Sequence, residues 1–236
     1  MISDATDEAV HEGADDLAPL IASFVAMLPV EEAAASSLGA PFDIETIVAT
    51  GPRSAQLDEV QIDLGEGPGW EAFRSGRPST MSLESSDDRS AWPFLASSPA
   101  AAGVCSIVSV PLVFGPLGIG AVSLYSSAAI ELDTEQFHLA ESLAVLLGRA
   151  IVARALQEAE NGAVVRDPFL SRREVHQATG MVISQTRSTP GDSLLAIRAY
   201  AYSNGMSVRD VAAEIVARRL DFSSGRPGDS GTEDRK

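Results

Sequence analysis

Apolar residues recur at helical spacing from Asp16 onward, with Leu17, Leu20, Ile21, Phe24, Val25 and Leu28 on one side, which predicts an amphipathic helix ending near Pro29. The stretch from Phe42 to Val48 alternates apolar and polar residues and reads as a strand. Asp58 to Leu64 repeats the alternation, with Val60, Ile62 and Leu64 on one face, and is expected to be a second strand. Gly65, Gly67, Pro68 and Gly69 then interrupt the chain before a short helix from Trp70 to about Ser75, closed by Gly76. Ser82 to Ser90 reads as an exposed loop, and Trp92 to Ala102 as a short helix. Cys105 to Phe114 and Gly118 to Tyr125 are apolar runs around a Gly/Pro turn, the pattern of a hairpin buried on both faces.

Asp133 and Gln136 make a capping box that opens a long helix running towards Glu160. Its stripe is Leu139, Leu143, Leu146 or Leu147, Ala150 and Ile151. About 27 helical residues span ~40 Å, more than one small sheet covers, so the far end is expected to meet a second copy; the plainer reading leaves that end in solvent. After a break at 162–168, three short helices fit into about fifty residues. Ser171 and Glu174 cap the first, with Val175, Ala178, Val182 and Ile183 on one face. Pro190 opens the second, with Leu194, Ile197 and Ala201 inward and Gly205 as its stop. Ser207 and Asp210 cap the third, whose inward residues are Val208, Val211, Ala212 and Ile215.

The predicted fold class is therefore α+β: an antiparallel sheet flanked by helices over 17–156, then a linker at 157–165. An all-α three-helix bundle follows over 166–222. Residues 1–16 and the Ser/Gly/Pro/Asp-rich tail 223–236 are expected to be disordered. Net charge is −16, which argues at first against nucleic acid. Its distribution changes that: residues 1–165 carry 6 Arg against 24 Asp/Glu, whereas 166–222 carry 8 Arg against 6 acids. The asymmetry points to two domains with different partners; the plainer reading is that a charge of +2 is ordinary for a surface. One cysteine, Cys105, excludes an internal disulfide and multi-cysteine metal sites, and its place at the start of an apolar strand makes it a buried, inert thiol. No apolar run reaches membrane-spanning length and no signal peptide opens the chain, so a cytoplasmic protein with no membrane partner is expected.

Leu64-Gly65-Glu66-Gly67-Pro68-Gly69-Trp70-Glu71-Ala72, then Trp92-Pro93-Phe94, Gly103 to Leu112 and Leu124-Tyr125-Ser126 resemble, in that order, a GAF domain. The resemblance implies a sensory fold with a small-molecule pocket on one face of the sheet. Trp70, Phe73, Trp92, Phe94, Val110 and Tyr125 are its candidate walls, and each is also readable as core, the commoner place for an aromatic residue in a small domain. Glu174-Val175-His176-Gln177-Ala178-Thr179-Gly180-Met181-Val182, with Ala196 to Ala201 and Ser207 to Ala212, resembles an ANTAR domain. That resemblance implies a three-helix RNA-binding module of a transcription antiterminator, acting as a homodimer on paired hairpins. Thr179 departs from the lysine many members carry, which removes a phosphate contact. The Arg-rich, Lys-poor composition agrees with the actinobacterial occurrence of GAF–ANTAR pairs.

RNA recognition needs cations and groups that stack on or hydrogen-bond loop bases. Arg172, Arg173, His176, Thr179 and Gly180 on the first helix, Arg198 and Tyr202 on the second, and Arg209 on the third are the candidates. Gly180 inside a helix costs about 1 kcal/mol against alanine, which asks either for a close backbone neighbour or for RNA. Arg218 and Arg219 read as charge at a helix C-terminus. The three histidines, His11, His138 and His176, lie in unrelated segments. With no GxSxG, P-loop or HExxH, neither an enzyme nor a cofactor is expected. The alternative to an RNA-binding regulator is a ligand-sensing or protein-interaction dimer whose bundle has lost RNA binding.

Overall fold

The structure, a computed structural model, describes residues 17–161 and 172–223 in two separate compact units that divide at 171/172. The expectations for 1–16, 162–171 and 224–236, including the cap from Ser171, lie outside the described residues.

The first unit runs α1 (Ala18–Met27), β1 (Glu32–Ser37), β2 (Glu45–Ala49), α2 (Pro52–Leu64), α3 (Pro68–Ser75) and β3 (Ser79–Ser82). It continues with α4 (Ser86–Ala91), α5 (Pro93–Ala96), a 3-10 turn (Pro99–Ala101), β4 (Ser106–Phe114), β5 (Leu117–Ser126) and α6 (Thr134–Asn161). The strands form one antiparallel sheet in the order β2-β1-β5-β4-β3. The hairpin β4–β5 pairs Ile107 with Tyr125 and Val108 with Leu124, so alternate residues face opposite layers. One layer is α1 and α6, packed on Ala33, Ala35, Val108, Val110, Leu112, Val122 and Leu124. The other is α2, α3, α5 and the 3-10 turn, packed on Ala34, Ile107, Ala121 and Tyr125. Helices on both sides bury most of the hairpin, leaving Phe114 exposed at its turn.

Asp58–Leu64 is helical, not a strand. Leu57, Asp58, Gln61 and Ile62 are buried, a helical spacing that the polar Asp58 and Gln61 hide from a hydrophobicity pattern. Gly51 and Pro52 open α2, with the Ser54 hydroxyl accepting from the Gly51 amide at 3.1 Å, and left-handed Gly65 ends it. Strand β1 has the sequence Glu-Ala-Ala-Ala-Ser-Ser, too small in side chain to signal a strand, yet it lies between β2 and β5. Within the Ser82–Ser90 stretch read as a loop, Ser85 accepts from the Asp88 amide and starts α4. The helix expected over Trp92–Ala102 is α5 followed by the 3-10 turn, because Pro99 breaks it.

The Asp133–Gln136 capping box is reciprocal: the Gln136 amide donates to Asp133 at 2.9 Å and the Asp133 amide to Gln136 at 3.0 Å. The helix α6 that follows reaches Asn161, so the first residues of the expected linker are helical.

The second unit is α7 (Arg173–Thr186), α8 (Pro190–Asn204) and α9 (Val208–Val216). Thr189 and Ser207 cap α8 and α9 through the amides of Asp192 and Asp210, and left-handed Gly205 ends α8. Val175, Ala178 and Val182, Ile197 and Ala201, and Val208, Val211, Ala212 and Ile215 form its core. Residues after α9 complete it: Phe222 packs edge-on to Tyr200 at 5.7 Å, and its amide donates to the Gln185 side chain at 3.1 Å.

Candidate nucleic-acid interface and sensory face

On α7 the exposed residues Arg173, His176, Gln177, Gly180 and Ser184 fall at i, i+3, i+4, i+7 and i+11, a single stripe. A Cβ on Gly180 would meet nothing within 4 Å among the described residues, so none of their backbone demands a glycine there. Arg172 departs from expectation. It sits at the N-cap of α7 and is buried, so it does not share the exposed stripe with Arg173. Thr179 is half-buried, and its hydroxyl donates to the Val175 carbonyl at 2.7 Å. That hydroxyl is spent on its own helix.

On α8, Arg198 is half-buried with its Nε shielded from solvent, and Tyr202 one turn on is 58% exposed. Arg209 is half-buried in the first turn of α9. Past α9, Arg219 makes a two-pronged pair with Glu214 at 2.8 and 2.7 Å. This bond holds the Glu214 carboxyl below its ordinary value and agrees with a helix-end role for that arginine.

The six candidate walls of the sensory pocket do not converge. Trp70 and Phe73 pack edge-to-face at 6.4 Å, and the Arg74 guanidinium lies 5.1 Å from the Trp70 ring centroid. Trp92 and Tyr125 join a separate cluster with Met81, Leu95 and Ile107. Phe94 is exposed, and Val110 faces the opposite layer, against α1 and α6. Val110 is thus removed from the pocket by strand alternation: it pairs with Val122, one residue out of phase with Tyr125.

Polar side chains that hydrophobic patterning missed occupy the α2 face of the sheet. Gln61 Nε2 donates to Tyr125 Oη at 3.1 Å and to Ser123 Oγ at 3.3 Å, while its Oε1 accepts from the Gly69 amide at 2.9 Å. Ser109 and Ser123 bond at 2.9 Å, and the Trp70 indole donates to the Gln61 carbonyl at 2.8 Å. Asp58 accepts from Thr46 at 2.6 Å and Ser36 at 3.2 Å. These contacts explain the Gly-rich motif. Gly67 has φ +116, and a Cβ there would lie 2.6 Å from Gln61 Oε1. Gln61 pins the turn to the sheet.

Burial, reinforced by the Asp58 charge, pushes the Tyr125 phenol well above its ordinary 10.0. The folded state therefore holds this proton more tightly than the unfolded chain. Its stabilising contribution is complete below pH about 10 and is lost as pH rises through and above that value. Tyr125→Phe is expected to cost about 1 kcal/mol at neutral pH by stranding Gln61, and to flatten the loss of stability between about pH 10 and 11.5. Urea titrations at both pH values check this; an unchanged alkaline slope contradicts it.

A shallow depression of about 590 Å³ lies elsewhere, between Ala22, Val25 and Ala26 of α1 and the Thr50–Arg53 segment, and none of the six candidate walls lines it. Among the described residues no group of three or more His, Cys, Asp or Glu side chains is placed to hold a metal ion. Cys105 is half-buried rather than buried. No described helix is long and apolar enough to cross a membrane.

Taken together, the first unit is a five-stranded sheet between two helical layers and the second a three-helix bundle. The family model for the GAF domain matches residues 2–152 and that for the ANTAR domain matches 166–216. The chain belongs to the GAF domain family and carries a C-terminal ANTAR domain, the domain set of a regulator with an RNA-binding antitermination module. It is similar in fold to a domain of a two-component sensor histidine kinase protein from Sinorhizobium meliloti 1021. That match has 19% identity and a TM-score of 0.50, covering 63% of this chain and 96% of that one. The GAF domain region of a membrane protein from Geobacter sulfurreducens PCA matches at 16% identity and a TM-score of 0.49, covering 64% of this chain and 99% of that one. No curated protein sequence matches the chain.

Proposed function

We propose that the chain is a cytoplasmic, non-catalytic RNA-binding antiterminator. Its ANTAR bundle binds hairpins of a nascent transcript, and its GAF domain controls that binding. Two copies pair through α6, whose outward residues Ser142, Leu146, Arg149, Ala153, Leu156 and Glu160 are exposed at alternating spacings of four and three. A small ligand acting on the GAF domain from the α2 side has to break the Gln61 contacts, and so moves the Gly-rich turn.

The observation that carries the RNA reading is Gly180. It weakens α7 by about 1 kcal/mol relative to alanine, none of the described residues needs it, and it lies in the stripe with Arg173 and His176. A smooth spot beside the Arg173 guanidinium and the His176 ring suits close approach of a phosphate backbone. Gly180→Ala is therefore expected to raise the melting temperature slightly and to lower RNA affinity several-fold. A variant that is stabilised with RNA affinity unchanged sinks the interface.

A second reading has its own support. Buried Arg172 and the self-bonded Thr179 hydroxyl leave the face with fewer available cations than the family resemblance implies. A bundle so depleted serves as a protein-interaction module. RNA copurifying with the chain, read as a raised 260/280 absorbance ratio, separates the two.

A further inference from the structure

We propose that the seat filled by the Gln61 carboxamide, between the Gly-rich turn and β5, takes a neutral ligand that carries a carboxamide or lactam group in its place. The proposal rests on control of the GAF domain by a small ligand from the α2 side and adds the chemical class of that ligand. The seat has two sides. The Gly69 amide, in the first turn of α3, donates to Gln61 Oε1 at 2.9 Å, and the Tyr125 and Ser123 hydroxyls of β5 accept from Nε2 at 3.1 and 3.3 Å. A backbone N–H only donates, so the Gly69 side fixes where the carbonyl of an occupant lies and leaves its N–H for the hydroxyls. Gln61 and Tyr125 are 2% exposed and Ser123 1%, so these bonds are made away from bulk water.

The chain keeps its backbone bare around this carboxamide. A Cβ on Gly67 would lie 2.6 Å from Gln61 Oε1, and one on Gly69 would lie 3.2 Å from both Gln61 Oε1 and Ser123 Oγ. Glycine lets a bound group approach the backbone this closely. Packing alone does not ask for hydroxyls here. Val108, Val110, Val122 and Leu124 of the same hairpin form an apolar layer against α1 and α6, and apolar side chains in place of a buried polar pair can leave stability almost unchanged. A ligand that displaces Gln61 has to replace each bond it breaks, because a buried donor left unpaired costs more than the bond contributes. A carboxamide or lactam does so with its adjacent C=O and N–H. A carboxylate instead brings a charge out of water beside Asp58, one turn away on α2, whose own charge already acts on the Tyr125 phenol.

The test is chemical rescue on the full chain. Gln61→Ala removes the carboxamide, and acetamide is expected to raise the melting temperature of this variant by several degrees, as a ligand of the folded state does. Acetate at the same concentration should not. Wild type should melt alike with and without acetamide, because Gln61 already holds the seat. Filter retention of an RNA stem–loop by Gln61→Ala should change when acetamide is added. Should the variant not fold by itself, acetamide and not acetate is expected to recover its native circular dichroism on refolding. Equal effects of acetamide and acetate, an equal effect on wild type, or no effect on the variant each overturn the amide class and leave control by another kind of ligand standing. Selective rescue that leaves RNA retention unmoved, while wild type retains the stem–loop, overturns control of the bundle from this face and the proposal with it.

Discussion

Replacing Leu147 and Ile151 with aspartate is expected to unfold the GAF domain, whereas the same change at Leu146 and Leu156 leaves it folded and separates two copies. All four belong to the apolar pattern of α6, but they point in opposite directions. Leu147 is fully buried and Ile151 is 4% exposed, both in the core that α6 shares with the sheet. A charge there has neither water nor partner and costs more than about 4 kcal/mol, much of a domain's stability. Leu146 and Leu156 are 50% and 61% exposed on the outward seam, so aspartate at these positions costs the single chain almost nothing. Light scattering should show the mass of the seam variant falling from two chains to one, with the thermal melt unchanged. A wild type that is already monomeric at micromolar concentration contradicts pairing through α6.

The second large effect is at Arg198. Its loss is expected to weaken binding to a paired-hairpin transcript by roughly 1–3 kcal/mol if it reads a base edge, about 5- to 150-fold. Because the side chain is half-buried, alanine removes packing together with charge. Arg198→Met, which keeps the aliphatic volume, is the cleaner variant and should melt close to wild type. Thr179→Lys moves the opposite way. A lysine at this half-buried position extends its ammonium to the surface, and should strengthen binding and steepen its dependence on log salt by about one unit or less. Gel shifts at two salt concentrations read both. If Arg198→Met binds as wild type does and Thr179→Lys gains nothing, these residues do not face RNA.

The legible parts of the fold were those whose hydrophobic period matched their backbone. The β4–β5 hairpin, the capped start of α6 and nearly every core position of α7, α8 and α9 followed from spacing and caps. Strand β1 was silent because alanine and serine carry no strand signal, although the sheet places them between two neighbours. Helix α2 was misread because its buried face includes Asp58 and Gln61. Polar residues enter a core only when partners await them, and Ser36, Thr46, Ser123 and Tyr125 come from distant segments. The same non-local packing dispersed the expected pocket walls: one residue of strand phase sent Val110 to the far layer. On the bundle, the stripe through Arg173, His176 and Gly180 was readable from helical spacing, whereas the burial of Arg172 depends on how the start of α7 packs.

The most direct measurement is crosslinking of the full chain to RNA in cells, followed by sequencing of the bound fragments. The account predicts enrichment over background of paired hairpins in the leader regions of transcripts. That enrichment should fall sharply when Arg173 and His176 are both replaced by alanine on a chain that still folds. A wild-type chain that crosslinks no RNA above background, or whose yield is the same in the double variant, contradicts it.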